Sequence, residues 1–373
     1  MLNEVIENSK APQKNSFSQR LPFSIEKRQF PTTGAVIMWS IIGVVLALII
    51  GAIFLLATGR DPIEIYTLTF SKVFTTPYGL ASAANKATPL MLGAAGVMVA
   101  AKAGLWNVGV EGQFLVGAVA ASGVALLNLN VPSFVIILLM LVAGFLGGAL
   151  VAFICALPKA YLKVNEIITT LLFNYIVVLF VAYLVHGPMK GAGNNVPQSA
   201  VFAENSWLPQ IGSTGIHLGF IIAIIMVILF GWLMRKSTFG FEMRVVGNNP
   251  KAAKYTGISI IRNILLVMII SGGLAGIGGM MEVSGVVHRM QSGIFTNFTL
   301  TAFAVAWLAR LNTAGVLVVS YLLAGLLVGA YVMQIVGMPS AMVNVLEGLI
   351  IMLIVAFDIV TVYRIKWKRG NSK

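Results

Sequence analysis

The sequence predicts an all-α protein, a polytopic membrane helix bundle of about ten transmembrane helices with both termini in the cytoplasm. Only 10% of its 373 residues are charged and 58% are hydrophobic, and the mean hydropathy is +0.92. A soluble domain carries about 25% charged residues, so this chain cannot cover a water-facing surface of its size. The apolar residues also recur in runs of about 17 to 25, the length at which a helix crosses a hydrocarbon layer of ~30 Å.

The apolar runs predict ten membrane spans between two polar arms. Residues 1–33 form a polar, basic N-terminal arm, residues 34–363 the transmembrane domain, and residues 364–373 a basic tail. The first run follows a long charged lead and has no small-residue cleavage site after it, so we expect an uncleaved span. The predicted spans are about 34–57, 79–103, 112–129, 133–157, 164–186, 217–234, 263–283, 296–310, 314–337 and 341–362.

The distribution of Lys and Arg predicts the orientation. Ten crossings place 20 basic residues on one side, in the two arms and alternate loops, and five on the other. Basic residues gather in cytoplasmic loops, so both termini are predicted to be cytoplasmic. The five outer residues are Arg60, Lys72, Lys86, Lys190 and Arg289. The longest outer segment, about 187–216, is either a plain connection or a lid or docking surface.

Several function classes find no support in the residues. The net charge of +13 is explained by cytoplasmic loops rather than by nucleic-acid binding. The phosphate-binding pattern G-x-x-x-x-G-K-[ST] is absent, as are H-E-x-x-H and a serine-nucleophile motif. His186, His217 and His288 are scattered near span ends, and Cys155 is a single cysteine in an apolar run. We therefore expect no catalytic residues, no metal site and no resident cofactor.

The first informative segment is A-G-L-W-N-V-G-V-E-G-Q, residues 103–113. Its glycines, Asn107, Glu111 and Gln113 interrupt two apolar stretches. Irregular backbone at membrane depth is tolerated only where protein or water satisfies it. The segment is therefore predicted to be a broken helix or tight turn, either as a gate or path element or as a structural turn.

The second segment, N-E-I-I-T-T-L-L-F-N-Y, opens the fifth span at Asn165. Glu166, Thr169, Thr170 and Asn174 fall on one side of a helix. A polar stripe in a membrane helix points away from lipid because polar groups in hydrocarbon are costly. It lines a substrate path or makes helix–helix hydrogen bonds.

The third segment is the inner loop of residues 235–258. Asn249 as a cap, Pro250 at the first position and Gly257 at the end predict a short surface helix. Such a helix serves as a docking point for a partner or lies on anionic lipid.

Together these segments resemble the permease subunits of ATP-binding-cassette (ABC) importers, in the group of branched-chain amino acid, ribose and nucleoside permeases. A-G-L-W-N-V-G-V-E-G-Q is similar to the signature stretch of that group. G-F-E-M-R-V-V-G-N-N-P-K-A-A-K-Y-T-G-I is similar to its cytoplasmic coupling loop, about residues 235–262 here. N-E-I-I-T-T-L-L-F-N-Y-I resembles more narrowly the guanosine-type nucleoside permeases.

The resemblance implies a transport subunit that performs no covalent chemistry. Its implied partners are a second homologous permease, a cytoplasmic ATPase that binds the ATP, and an extracellular substrate-binding lipoprotein or periplasmic protein. The implied cargo is a nucleoside, with ribose-type sugars or branched-chain amino acids as the alternative. The residues implied for the coupling surface are Gly240, Glu242, Arg244, Gly247, Asn249, Pro250, Ala252, Ala253 and Gly257.

Two further sets of residues follow from the sequence itself. The residues predicted for the path or its gate are Asn107, Glu111, Asn165, Glu166, Thr169 and Asn174. An alternative of another class is an ion-coupled secondary transporter, which requires a paired ionisable site at mid-membrane. Glu166, Glu347 and Asp358 are available for one, but none has an obvious basic partner in the sequence.

Overall fold

A computed structural model of the chain describes residues 23–27, 33–193, 195–295 and 298–367. These residues contain thirteen α-helices and two short strands. Most of the predicted N-terminal arm and the end of the predicted tail lie outside the described residues. The helices are α1 Thr33–Ala57, α2 Pro62–Phe70, α3 Pro77–Lys102, α4 Val110–Leu126, α5 Ser133–Leu162, α6 Glu166–His186, α7 Gly219–Lys236, α8 Thr238–Asn248, α9 Pro250–Tyr255, α10 Ile260–Glu282, α11 Phe298–Leu308, α12 Thr313–Ile335 and α13 Ser340–Val362.

Each of the ten predicted spans corresponds to one helix, and the predicted all-α membrane bundle is confirmed. Within the part of the chain that the structure describes, five helices are long and apolar enough to cross a membrane by themselves, namely α5, α6, α7, α10 with the turn that follows it, and α12. The apolar helices α4 and α11 are shorter than these five. The sequence analysis predicted neither α2 nor α8, because both are short and mix polar with apolar residues.

The chain divides into two compact units. The first comprises residues 1–51 and 352–373, and its described part includes an antiparallel pair of strands, β1 Phe23–Lys27 and β2 Tyr363–Trp367. Phe23 is paired with Trp367 and Lys27 with Tyr363. The sequence analysis predicted no strand in either arm. The second unit comprises residues 52–351 and contains every candidate site residue.

The centre of the second unit is a close crossing of α10 with α5 and α4. The sequence of α10 contains S-G-G-L-A-G-I-G-G, and these residues are buried. A Cβ added at Gly276 would overlap the carbonyl oxygen of Gly144, and one at Gly148 would overlap that of Gly272. Small residues at such a crossing allow the helix backbones to touch. The glycines therefore fix α10 as the central helix of the unit.

The outer connection, which is the segment between α6 and α7, is hydrogen-bonded to the turn that follows α10. A π-helical turn, Val283–Val287, follows α10 directly. The Ser284 carbonyl accepts a hydrogen bond from the Leu208 N–H at 3.1 Å. The Ser284 hydroxyl donates a hydrogen bond to the Ser206 carbonyl at 2.6 Å. The Phe202 N–H donates to the His288 carbonyl at 2.9 Å. The described part of this connection is thus an ordered cap on the helix ends.

Candidate functional site

The irregular segment between α3 and α4 is held along its length by the polar stripe of α6. The Trp106 N–H donates to Oε1 of Glu166 at 3.2 Å, and the Val108 N–H donates to the Thr170 hydroxyl at 3.2 Å. The Asn174 side chain donates to the Val108 carbonyl at 2.8 Å. The sequence segments 103–113 and 165–175 therefore form one site, in which α6 satisfies backbone groups that a continuous helix would have paired.

Asn107 is the centre of this site. Its amide exchanges two hydrogen bonds of 2.8 Å with the amide of Gln113 and donates a third, also of 2.8 Å, to the Ser271 hydroxyl. Its Oδ1 also accepts from the Gly109 N–H at 3.1 Å. Ser271 in turn donates to the Gly96 carbonyl at 2.8 Å. Asn107 thereby links the segment to α3, α4 and α10.

Glu166 has a basic partner that the sequence analysis did not recognise. Lys159, in the last turn of α5, lies 2.8 Å from Oε2 of Glu166. Glu166 is buried, and both of its oxygens are paired, Oε2 with Lys159 and Oε1 with the Trp106 N–H. Asn165 caps α6 by accepting from the Ile167 N–H at 3.0 Å, and the Thr169 hydroxyl donates to the Cys155 carbonyl at 3.2 Å.

Glu111 lies at the other side of the segment, in the first turn of α4. Its backbone N–H donates to the Thr299 hydroxyl of α11 at 3.0 Å, and its side chain is half-buried. The structure thus gathers Asn107, Glu111, Glu166 and Asn174 around the segment. Asn165 lies exposed at the start of α6, and Thr169 faces α5.

An aromatic cluster adjoins the segment and was not predicted. The Trp106 ring stacks on Phe303 with 6.3 Å between centroids and contacts Trp307 at 4.9 Å. Trp106 is 45% exposed. No pattern in the sequence indicates that α11 packs beside residue 106, so this cluster could not be identified from the sequence.

The first part of the predicted coupling surface is α8. The Ser237 hydroxyl caps α8 by accepting from the Gly240 N–H at 3.0 Å. Gly240 is buried against the end of α7, where an added Cβ would overlap the Met234 carbonyl. Arg244 donates a short hydrogen bond to that same carbonyl. Glu242 accepts from the Asn263 side chain at 3.2 Å, so α8 is fixed to both α7 and α10.

Gly247 places α8 directly on the segment between α3 and α4. A Cβ at this position would lie 2.6 Å from the Lys102 carbonyl oxygen and 2.8 Å from the Ala103 carbonyl carbon. A Cβ added at Gly104, which has a φ of +71°, would lie 3.2 Å from the Gly247 carbonyl oxygen. Backbone therefore packs on backbone here, and a displacement of α8 must move residues 102–104.

The second part of the predicted coupling surface is α9, which confirms the short inner helix expected from the sequence. Asn249 caps it by accepting from the Ala252 N–H at 3.1 Å, Pro250 is its first residue, and Gly257 adopts a φ of +77° after its end. Ala253 is buried and Ala252 half-buried. The remaining side chains of α9 are exposed, with Tyr255 at 92%. The sequence analysis had not singled out Tyr255.

A charged pair in the outer half of the second unit was also not predicted from the sequence. Lys86, which was counted with the basic residues of the outer side, lies inside α3 and forms an ion pair of 3.0 Å with Glu282 at the end of α10. Nearby, His288 stacks on Trp207 at 4.0 Å. Burial lowers the pKa of His288 from its ordinary value of 6.5, and Arg289 lowers it further, against the effect of a backbone hydrogen bond at Ser284.

No group of three His, Cys, Asp or Glu side chains among the described residues is arranged to hold a metal ion. The polar side chains of the site mostly pair with backbone groups of neighbouring helices. Such an arrangement can hold a polar segment at a helix junction and transmit movement between helices.

Comparison with known proteins gives one family and several full-length relatives. Residues 79–355 match the family described as branched-chain amino acid transport system / permease component. A glucose ABC transporter permease protein of Haloferax volcanii is 32% identical over 89% of this chain and 91% of its own length. A guanosine ABC transporter permease protein of Bacillus subtilis is 32% identical over 89% and 95%. A nucleoside ABC transporter permease protein of Lactococcus lactis is 31% identical over 86% and 91%.

Proposed function

The chain belongs to the branched-chain amino acid transport system / permease component family of ABC transporters, and from this we propose that it is the permease subunit of an ATP-driven nucleoside importer. It is a multi-pass protein of the cell membrane. The observation that carries the proposed mechanism is the backbone contact between Gly247 and residues 102–104. This contact joins an exposed inner helix pair to a polar segment within the bundle.

The proposed energy source is ATP bound and hydrolysed by a separate cytoplasmic subunit. The sequence lacks the phosphate-binding pattern that such hydrolysis requires. The proposed seat for the ATPase is the surface of α8 and α9, where Tyr255, Lys251 and Lys254 are exposed beside Asn249 and Pro250. A second homologous permease and an extracellular substrate-binding protein complete the proposed complex.

The proposed mechanism is alternating access with α8 and α9 as the lever. Movement of the ATPase displaces α8, and because α8 touches residues 102–104, the displacement reaches the segment that Asn107 holds. Asn107, Glu111, Glu166 and Asn174 act in this proposal as the gate. The hydrogen bonds to α6, α10 and α11 support it, because they connect the segment to three other helices of the bundle.

The proposed cargo is a nucleoside. Two of the three relatives described above are nucleoside permeases by name, and both match along nearly the whole chain. The glucose permease is as similar as the guanosine permease, so a sugar is the second candidate. Nucleosides and sugars share a hydroxylated ring, which the path must accommodate in either case.

The experiment that tests the cargo is uptake of labelled guanosine and uridine by cells with and without this gene. Excess unlabelled nucleosides, ribose, glucose or leucine serve as competitors. We expect deletion to lower nucleoside uptake and nucleosides alone to compete. A deletion that lowers sugar or leucine uptake and leaves nucleoside uptake unchanged, in cells without other nucleoside carriers, would refute the nucleoside assignment.

A further inference from the structure

Lys86 and Glu282 form an ion pair within the helix bundle. Lys86 lies in the interior of α3, and Glu282 is the last residue of α10. Nζ of Lys86 is 3.0 Å from Oε1 of Glu282 and 4.9 Å from the centre of the Phe298 ring of α11. Three helices of the second unit therefore converge on this pair.

The pair retains unused capacity for hydrogen bonding. The Glu282 side chain is 4% exposed, and within the described residues its Oε2 atom is buried with no hydrogen-bond partner. The Lys86 side chain is 29% exposed, although a charge facing lipid is unfavourable. A buried pair adds little stability compared with apolar residues of similar volume. A buried carboxylate oxygen without a hydrogen-bond partner, beside a partly accessible ammonium, is therefore better explained by a ligand than by stability.

The helices that carry the two charges are irregular at this point. Pro89 lies inside α3 and has no N–H, so the Asn85 carbonyl loses its helical donor. The π-helical turn Val283–Val287 begins immediately after Glu282. Such turns occur frequently at functional sites because they change the direction of side chains within a helix. Both helices thus depart from regular geometry beside the charged pair.

The outer connection is hydrogen-bonded to Asn85, next to Lys86, and to Ser284, two residues after Glu282. The Asn85 side chain donates to the Gly215 carbonyl at 2.8 Å and accepts from the His217 N–H at 3.1 Å. Ser284 bonds with Ser206 as described above. The outer connection is therefore hydrogen-bonded to both helices that carry the charged pair, close to each of the two charges.

We propose that Lys86 and Glu282 bind vicinal hydroxyl groups of a sugar ring in the translocation path. The ammonium donates to hydroxyl oxygens, and the unpaired oxygen of the carboxylate accepts from a hydroxyl O–H. A neutral diol bridges the pair without separating the two charges, whereas a zwitterionic amino acid would have to compete with the existing ion pair. The ligand class is the ribose ring of a nucleoside or a free sugar.

This inference rests on the proposed function and is tested on the whole complex of permease, ATPase and binding protein in proteoliposomes. The measurement is the ratio of uptake efficiency for guanosine to that for 2′,3′-dideoxyguanosine. If the unaltered complex imports glucose instead, glucose and 2-deoxyglucose are the probes. Because all variants share one binding protein, its own preference cancels when variant and unaltered ratios are compared.

We expect Glu282→Gln to lower this ratio about tenfold, with uptake of the deoxy compound nearly unchanged, because the lost interaction involves only the hydroxyls. Glu282→Asp keeps the ion-pairing charge but withdraws the carboxylate by one carbon, and should lower the ratio severalfold. If Glu282→Gln does not assemble, the ratio measured for Glu282→Asp tests the proposal in its place. Lys72→Met, at an exposed lysine of the outer side, is the control and should leave the ratio unchanged.

Equal losses for both compounds in the two Glu282 variants would show a structural role and overturn the inference while leaving the importer function intact. An unaltered ratio in both variants would overturn it as well. An unaltered complex that imports leucine rather than nucleoside or sugar would overturn both the cargo assignment and the diol site.

Discussion

Substituting Gly247 by Ala tests the contact between the inner helix pair and the polar segment. The new Cβ would lie 2.6 Å from the Lys102 carbonyl oxygen, whereas ordinary contacts begin at 3.4 Å. The two backbones must therefore separate by 0.8 Å along that contact. Overpacking of this kind costs about 1–3 kcal/mol. If this cost falls on the state in which ATP hydrolysis and transport are coupled, transport slows between about fivefold and about 160-fold.

The assay is substrate imported per ATP hydrolysed in proteoliposomes that contain the complete complex. We expect Gly247→Ala to lower this quotient while ATP hydrolysis continues. Gly123→Ala is the matched control, because a Cβ at Gly123 meets nothing within 4 Å. A quotient equal to that of the unaltered complex in a stably assembled Gly247→Ala variant would refute the role of this contact.

Further predictions concern the coupling surface, the polar site and the outer cap. Glu242→Ala and Arg244→Ala should each abolish uptake without changing substrate binding by the extracellular protein, measured by calorimetry; uptake that survives in both would contradict the lever. Tyr255→Ala should weaken ATPase binding in a pull-down and leave the melting temperature unchanged, because this side chain is 92% exposed. Asn174→Leu removes bonds to Val108 and Gly112 and should lower the free energy of unfolding by about 2–6 kcal/mol, from about 1–3 kcal/mol for each of the two stranded polar groups. The pKa of His288 is lowered from 6.5, so the stability that its neutral ring contributes is present above pH 6.5 and is lost as the pH falls below that value. Acid should therefore increase proteolysis of the outer connection. The increase should be smaller in His288→Gln.

Features encoded locally could be predicted from the sequence. Continuous apolar runs gave the ten helices, and the combination of Asn249, Pro250 and Gly257 gave α9, because caps and helix starts depend on neighbouring residues alone. The polar stripe of α6 was predicted from its spacing. Its bonding partner was not, since helical periodicity shows which residues share a face and not what that face contacts.

Features that depend on distant residues could not be predicted. Lys86 and Glu282 are 196 positions apart, and only the packing of α3 on α10 brings them together. The sequence therefore placed Lys86 only among the basic residues of the outer side, and the ionisable residues available for a mid-membrane pair were Glu166, Glu347 and Asp358. Glu166 does have a partner in Lys159, but the Asp358 side chain lies outside the described residues. The strand pair β1–β2 was missed for the same reason, because its two strands come from opposite ends of the chain.

The central claim is that ATP, through a separate subunit, drives transport by this chain. The most direct test is uptake of labelled guanosine, or of glucose if that is the cargo, in cells whose proton and sodium gradients are collapsed while ATP is maintained. The account predicts that uptake continues under these conditions and stops when ATP is depleted with the gradients intact. Uptake that stops with the gradients and continues without ATP would contradict it and identify an ion-coupled transporter.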